Sequence, residues 1–148
     1  MEKLNFKIDL GIVTHDAVEE NPFVNISING FPQFGEIVNK DTVVEIDVEV
    51  EEDTENFLTI EYNNKDANVD VVYGENEIIK DKRVVIKSIT INDIPLNIFS
   101  FAEEDTLSFT SIDNTINRIG FQATKLSWNG RTTLKFSTPI YIWLLENI

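Results

Sequence analysis

Cysteine is absent from this 148-residue chain, so no disulfide framework and no thiolate metal site is available to it. Histidine is nearly absent: His15 stands alone, in a turn-like Thr14-His15-Asp16 where it reads as a solvated side chain. A Ser-His-Asp or Cys-His triad would have to use that one imidazole, and a zinc site would be left with carboxylates alone. Six glycines are scattered singly, which excludes a glycine-rich phosphate loop. Basic residues are scarce, twelve against twenty-six acids, for a formal charge of −14. Phosphate backbones are held by Lys and Arg, so the balance argues against a nucleic-acid partner. Long hydrophobic runs are missing, so nothing spans a bilayer, and Leu10-Gly11-Ile12-Val13 is too short for a signal core. The expectation is a product without a signal peptide that stays where it is made. At 42% hydrophobic residues the chain is too apolar for acidic disorder and long enough for one domain, 1–148, with a sizeable core.

What is present is alternation. Leu4, Phe6, Ile8, Leu10 and Ile12 alternate with mostly polar partners, the period of a half-buried strand. Val24, Ile26 and Ile28 repeat the pattern up to the turn pair Asn29-Gly30. In 42–50, Val44, Ile46, Val48 and Val50 share one face and Val43, Glu45, Asp47 and Glu49 the other. Leu58, Ile60 and Tyr62 follow an acidic turn, and a meander link between these two strands is expected. Residues 84–91 are rich in β-branched side chains, with Val85, Ile89 and Ile91 assigned to one face, and Asn92-Asp93 closes that strand. A hairpin is expected at 124–136 around Asn129-Gly130, with Trp128 on the face of Leu126. The tail Tyr141-Ile142-Trp143-Leu144-Leu145 reads as a docked strand end or a single helical turn. Residues 102–118 read as a long loop containing a short strand at 106–110. Nine to eleven short strands in one acidic chain predict an all-β antiparallel sandwich.

The charge is uneven. Residues 1–100 hold twenty-one acids and eight bases, and residues 101–148 hold five and four. Within 45–55, seven of eleven residues are acidic and none is basic. This stretch reads as a solvated sheet face and turn, or else as a cation site or a patch that steers a basic partner. Alternate carboxylates on a strand stand about 7 Å apart, too far for two of them to chelate one calcium alone.

Catalytic chemistry has little material. A glycosidase needs two carboxyls flanking a cleft, one of them in an apolar setting. Glu61, between Ile60 and Tyr62, is the one mid-strand acid beside an aromatic, and its parity points it away from the core. The chain is therefore read as a non-enzyme with no catalytic residues. Calcium is the one cofactor with supporting residues, because it takes carboxylate, amide and carbonyl oxygens. Residues 63–70 are rich in them, and Asp70, Glu75 and Asp81 are the candidate ligands, against the alternative of an ordinary Asx-rich turn. Sugar binding needs an aromatic platform with planar polar groups beside it. Tyr73, in a turn-like Tyr73-Gly74-Glu75-Asn76, and Trp128 with Asn129 are the candidates.

Two stretches carry a resemblance. Residues 53–65, Asp53-Thr54-Glu55-Asn56-Phe57-Leu58-Thr59-Ile60-Glu61-Tyr62-Asn63-Asn64-Lys65, resemble the acidic turn, alternating strand and Asn-Lys of jelly-roll carbohydrate-binding modules. Residues 81–93, from Asp81-Lys82-Arg83 through the apolar strand to Asn92-Asp93, resemble a run in calcium-dependent xylan-binding modules. In those modules loop carboxylates hold calcium and calcium meets sugar hydroxyls. The resemblance implies that role for Asp81, with Asp70 and Glu75 upstream.

The wider pattern is similar to small proteins of marine tailed phages, cyanophage-like in type. It comprises Ile26-Ser27-Ile28-Asn29, Glu36-Ile37-Val38, Asn64-Lys65, Gly74-Glu75, Asp81, Trp128-Asn129-Gly130 and the stretch from Pro139 to Asn147. This likeness implies a virion accessory protein, a decoration, neck or fibre component assembled in a host cytoplasm. Its partners would be capsid or tail proteins and further copies of itself. The low-charge final third would dock, and exposed apolar residues of 99–121 would be covered. The alternative is an active, calcium-dependent glycan-binding module, with a cell-surface glycan as partner. Both readings share a jelly-roll sandwich like that of carbohydrate-binding modules.

Overall fold

Alternation does become strands in the computed structural model, which describes residues 1–14, 22–65, 72–74, 77–80, 82–98 and 106–147. The first sheet is built on β1 (Glu2–Thr14), flanked by β4 (Thr42–Val50) and β8 (Lys82–Ile91). Two short strands, β9 (Ile94–Pro95) and β12 (Lys125–Leu126), extend the far side of β8. The second sheet runs β11 (Asn117–Ile119), β10 (Leu107–Ser111), β13 (Gly130–Ser137), β5 (Glu55–Tyr62), β2 (Phe23–Ile28), β3 (Phe31–Ile37). A separate pair, β6 (Val72–Gly74) and β7 (Glu77–Lys80), is described by its backbone. Every pairing among the described residues is antiparallel. The result is the expected two-sheet antiparallel sandwich of jelly-roll type.

One apolar cluster lies between the sheets. Leu4, Phe6, Ile8 and Leu10 of β1 meet Leu58, Ile60 and Tyr62 of β5 and Leu134 and Phe136 of β13. The ring of Phe136 meets Phe6 edge-on at 5.6 Å and Trp143 at 6.2 Å. Trp143, Ile140 and Leu144 belong to α1 (Ile140–Glu146), so the aromatic tail docks as a two-turn helix rather than as a strand end. Its first N–H is received by Glu2, with Ile140 N donating to Glu2 Oε2 at 2.9 Å. Among the described residues no helix is long and apolar enough to cross a membrane.

Four local expectations are corrected. First, β4 and β5 are not a meander: they belong to different sheets, and the turn at 51–54, with Asp53 at φ 53°, carries the chain across the core. Alternation identifies a buried face without saying whether the next strand pairs beside it or packs opposite. Second, Val84 and Ile86 are buried with Ile89 and Ile91, while Val85 faces outward. Leu10 pairs with Ile86 and Asp9 with Ser88, so Lys87 is an extra residue that flips the parity midway. The bulged Lys87 binds Asp41 at 2.6 Å. Third, there is no hairpin at 124–136. β12 pairs with β8 and β13 with β10 and β5, so Asn129-Gly130 sits on a crossing between sheets. Gly130 is required there for space, since a Cβ would stand 2.4 Å from the Thr110 carbonyl oxygen. The turns with two left-handed residues are instead Asn29-Gly30, at φ 51° and 82°, and Asn92-Asp93, at 49° and 65°. Fourth, Trp128 does not share the buried face of Leu126, because β12 ends at Leu126 and alternation ends with it. The short strand expected at 106–110 is present as β10, and the loop after it adds β11 and a 3-10 turn over Gly120–Thr124.

Candidate functional site

One end of the sandwich gathers the end of β5, the starts of β2 and β8, the β10–β11 turn and the β12–β13 crossing. Asn129 ties it together. Its side-chain Oδ1 accepts from Lys65 N at 2.8 Å and its Nδ2 donates to Lys65 O at 2.7 Å. Lys65 in turn donates from Nζ to Ser127 O at 2.6 Å. Phe23 N donates to Asn64 Oδ1 at 2.9 Å, and the buried Lys82 donates from Nζ to Asn64 O at 3.0 Å. Charge on a buried ammonium is tolerated only with oxygen partners, and a carbonyl at a strand end supplies one.

A groove of about 300 Å³ opens beside this clamp, lined by Ser111, Ile112, Asp113, Ile116, Trp128 and Asn129. Trp128 is 38% exposed. The Arg118 guanidinium lies 4.7 Å from its ring centroid, so one face of the indole is backed by a cation. The β10–β11 turn is rigid through its own hydrogen bonds. Ser111 N donates to Ile116 O at 2.9 Å, Ile116 N to Ser111 Oγ at 3.0 Å, and Asn114 N, on a residue at φ 60°, to Ser111 O at 2.9 Å.

Asp113 sits at the tip of that turn. Its Oδ1 accepts from Ser111 Oγ at 2.7 Å, Thr115 Oγ1 at 2.7 Å and Thr115 N at 3.1 Å. The Ser111 and Thr115 hydroxyls, then the Thr115 N–H, hold the carboxyl below the usual carboxylate range. Oδ2 lies outside these three bonds. The groove thus offers an aromatic surface, apolar walls from Ile112 and Ile116, and a fixed carboxylate oxygen that accepts from a hydroxyl.

Of the residues singled out from the sequence, Trp128 and Asn129 are brought together here. Asn129 has already committed one donor and one acceptor of its amide to Lys65, so its clearest role is to hold the crossing in place. Tyr73 has its backbone in β6, which pairs with β7 rather than with a strand of either main sheet, and its side chain is outside the described residues, as are Asp70, Glu75, Asp81 and His15. Among the described residues no three His, Asp or Glu side chains are placed to hold a metal ion. Glu61 points outward as its parity requires, opposite Asn25 and Arg131, and accepts from Asn63 Nδ2 at 3.2 Å. Arg118, Ser111 and Asp113 were not singled out. The legible signal for two of them is Ser111-Ile112-Asp113-Asn114-Thr115, whose hydroxyls and carboxylate satisfy one another in a tight turn.

No protein-family model matches the sequence, and no curated protein matches it. Two solved structures share its architecture. One is vCBM60 in complex with galactobiose, at a TM-score of 0.52 and 11% identity, covering 88% of this chain and 96% of that one. The other is the selenomethionine form of vCBM60, described with a circular permutation linking two families of calcium-dependent carbohydrate-binding modules. Its TM-score is 0.51 at 12% identity, covering 88% of this chain and 89% of that one. At such identities the likeness is one of fold: this chain has an antiparallel β-sandwich similar to that of vCBM60.

Proposed function

We propose that the chain is a non-catalytic module that binds a neutral glycan in the groove between the β10–β11 turn and Trp128. The observation that carries the reading is the joining of a part-exposed indole, backed by Arg118, to a carboxylate held in place by three hydrogen bonds. Sugar CH faces stack on aromatic rings, and hydroxyls donate to a fixed carboxylate. A groove of about 300 Å³ is at the small end of ligand sites and suits a short stretch of sugar. An anionic Asp113 at its mouth disfavours uronic acids, which is why the ligand is named as neutral. The galactobiose held by vCBM60 is a sugar of this kind. Calcium enters the proposal through Asp70, Glu75 and Asp81 alone, with Tyr73 as a second aromatic on the same segment. Lys65 and Lys82, which bracket that segment, both bond at the Trp128 end.

The test is binding of galactan, xylan and other neutral polysaccharides by affinity electrophoresis and calorimetry, with calcium and with chelator. Saturable binding to at least one of them is expected. Trp128→Ala should weaken it by about tenfold or more while the melting temperature stays unchanged, because a stacked base or ring is worth on the order of 1–3 kcal/mol. Failure of every glycan in both conditions would overturn the reading, as would full binding by Trp128→Ala. Asp81→Ala separates the calcium question: it should abolish any calcium-induced rise in melting temperature.

A second reading is a virion accessory protein, with capsid or tail proteins or further copies as partners. It is favoured by exposed apolar side chains in the low-charge final third: Ile112, Ile119, and Tyr141, Ile142 and Leu145 of α1. Under that reading purified chain self-associates or binds a shell and ignores sugars.

A further inference from the structure

The opposite end of the sandwich holds a second and larger groove, of about 630 Å³, between the outer edges of the two sheets. Phe31, Val48 and Val50 give it apolar walls, and Glu49, Glu51 and Glu55 form its rim. Among the described residues no Lys or Arg lines it, and the Met1 ammonium beside it lies 3.9 Å from the Glu52 carboxylate. β4 forms one side and β3 the other, and among the described residues each pairs with a single neighbour, β1 and β2 respectively.

The two edges differ. β3 carries Pro32, Gly35 and a bulge opposite Ile26 and Ser27, devices that spoil strand addition. β4 is nine residues of regular alternation with no proline, glycine or bulge in its pairing with β1. Its free hydrogen-bonding groups can be assigned. Asn5 turns its backbone toward Asn92, donating from N to Asn92 Oδ1 and accepting from Asn92 N, both at 2.8 Å. Leu4 and Phe6 therefore face β4 and bond Val48 and Ile46 across the register. The N–H and C=O groups of Asp47 and Glu49 then point to the open side.

We infer that this groove receives an extended, basic, alternately apolar segment of another protein, added as a strand on the β4 edge. Main-chain hydrogen bonds to Asp47 and Glu49 would give register, and alternate side chains would enter the groove. Charge decides the occupant. A second copy of β4 would set Glu45, Asp47 and Glu49 against themselves, and like charges directly opposite are unfavourable. A strand carrying Lys or Arg at the same positions is attracted by the rim and by a stretch, 45–55, with seven acids and no base.

The test uses the full chain and three labelled eight-residue peptides: alternating Lys-Val, alternating Glu-Val, and octalysine. In fluorescence polarisation the Lys-Val peptide is expected to bind best, octalysine about tenfold more weakly, and Glu-Val not at all. Raising salt should weaken Lys-Val binding. Glu49→Lys with Glu51→Lys should reduce it by about tenfold with an unchanged melting temperature, since both side chains are exposed. Hydrogen exchange read residue by residue should show new protection at the Asp47 and Glu49 amides. Equal binding of octalysine would reduce the effect to the net field and overturn the groove. Protection elsewhere would overturn the assigned edge, and self-association without peptide binding would overturn the occupant. The groove lies at the other end of β5 from Trp128, so it stands or falls independently of the glycan proposal.

Discussion

Trp128 works through its neighbours. Arg118 fixes one face of the indole, and Gly130, two residues on, lets the crossing reach β13. A side chain at 130 meets the Thr110 carbonyl oxygen at 2.4 Å, the Phe109 ring at 2.8 Å and the Ser111 Cα at 2.8 Å. All three belong to β10, whose far end is the Asp113 turn. Gly130→Ala should therefore cost about 1–3 kcal/mol, read as a lower melting temperature, and should also weaken glycan binding. Acid provides a second test. The Lys87 ammonium and the Ile12 N–H hold Asp41 below its ordinary value of 3.8, as the hydroxyls of Ser111 and Thr115 hold Asp113. The folded chain then binds fewer protons than the unfolded one, so these groups stabilise above the unfolded value and lose that contribution as pH falls through the folded values. Both carboxyls are open to solvent, so the slope is shallow. Asp113→Asn should flatten the fall in melting temperature below about pH 4 by lowering it slightly at neutral pH, with the two chains converging in acid.

At the scale of elements, the helix α1 has the clearest energetic role. Trp143 joins Phe136 and Phe6 in an edge-to-face series that ties the end of the chain to β13 and β1. Trp143→Ala should cost about 3 kcal/mol and roughly 10 °C of melting temperature in thermal unfolding. A merely surface-attached helix would leave both almost unchanged. The same elements show what was legible in the sequence. Period-two runs at 4–12, 24–28, 42–50 and 58–62 name buried faces that the structure reproduces at Phe6, Ile26, Ile46 and Ile60. Which strand pairs with which was not legible, because β4 and β5 look alike whether side by side or face to face. Val85 was misassigned because a bulge adds one residue at Lys87 and no local residue type marks it. Asn129-Gly130 looked like a hairpin because the pair suits one. Here the glycine answers a close backbone approach and the asparagine a clamp on Lys65. Asp113 was missed because its site is made by a turn closing on itself, not by a periodic pattern.

On the scale of the whole molecule, the two ends of the sandwich have different chemistry. The end with Trp128 holds Arg118, Lys65 and Lys82 among its polar groups and a single engaged carboxylate at the groove. The other end carries an acidic rim around an apolar groove. A formal charge of −14 keeps copies apart and favours basic surfaces, while a neutral sugar is indifferent to it. The two proposed sites lie at opposite ends, so a glycan at one and a basic strand at the other would not compete. Occupancy of the glycan groove can be measured directly through the chain's two tryptophans, since Trp143 is buried and Trp128 is not. In the Trp143→Phe chain, emission comes from Trp128 alone. Titration with neutral polysaccharides should shift that emission saturably and shield it from a soluble quencher. Unchanged emission and quenching across the whole panel, in a chain that melts cooperatively, would contradict the account.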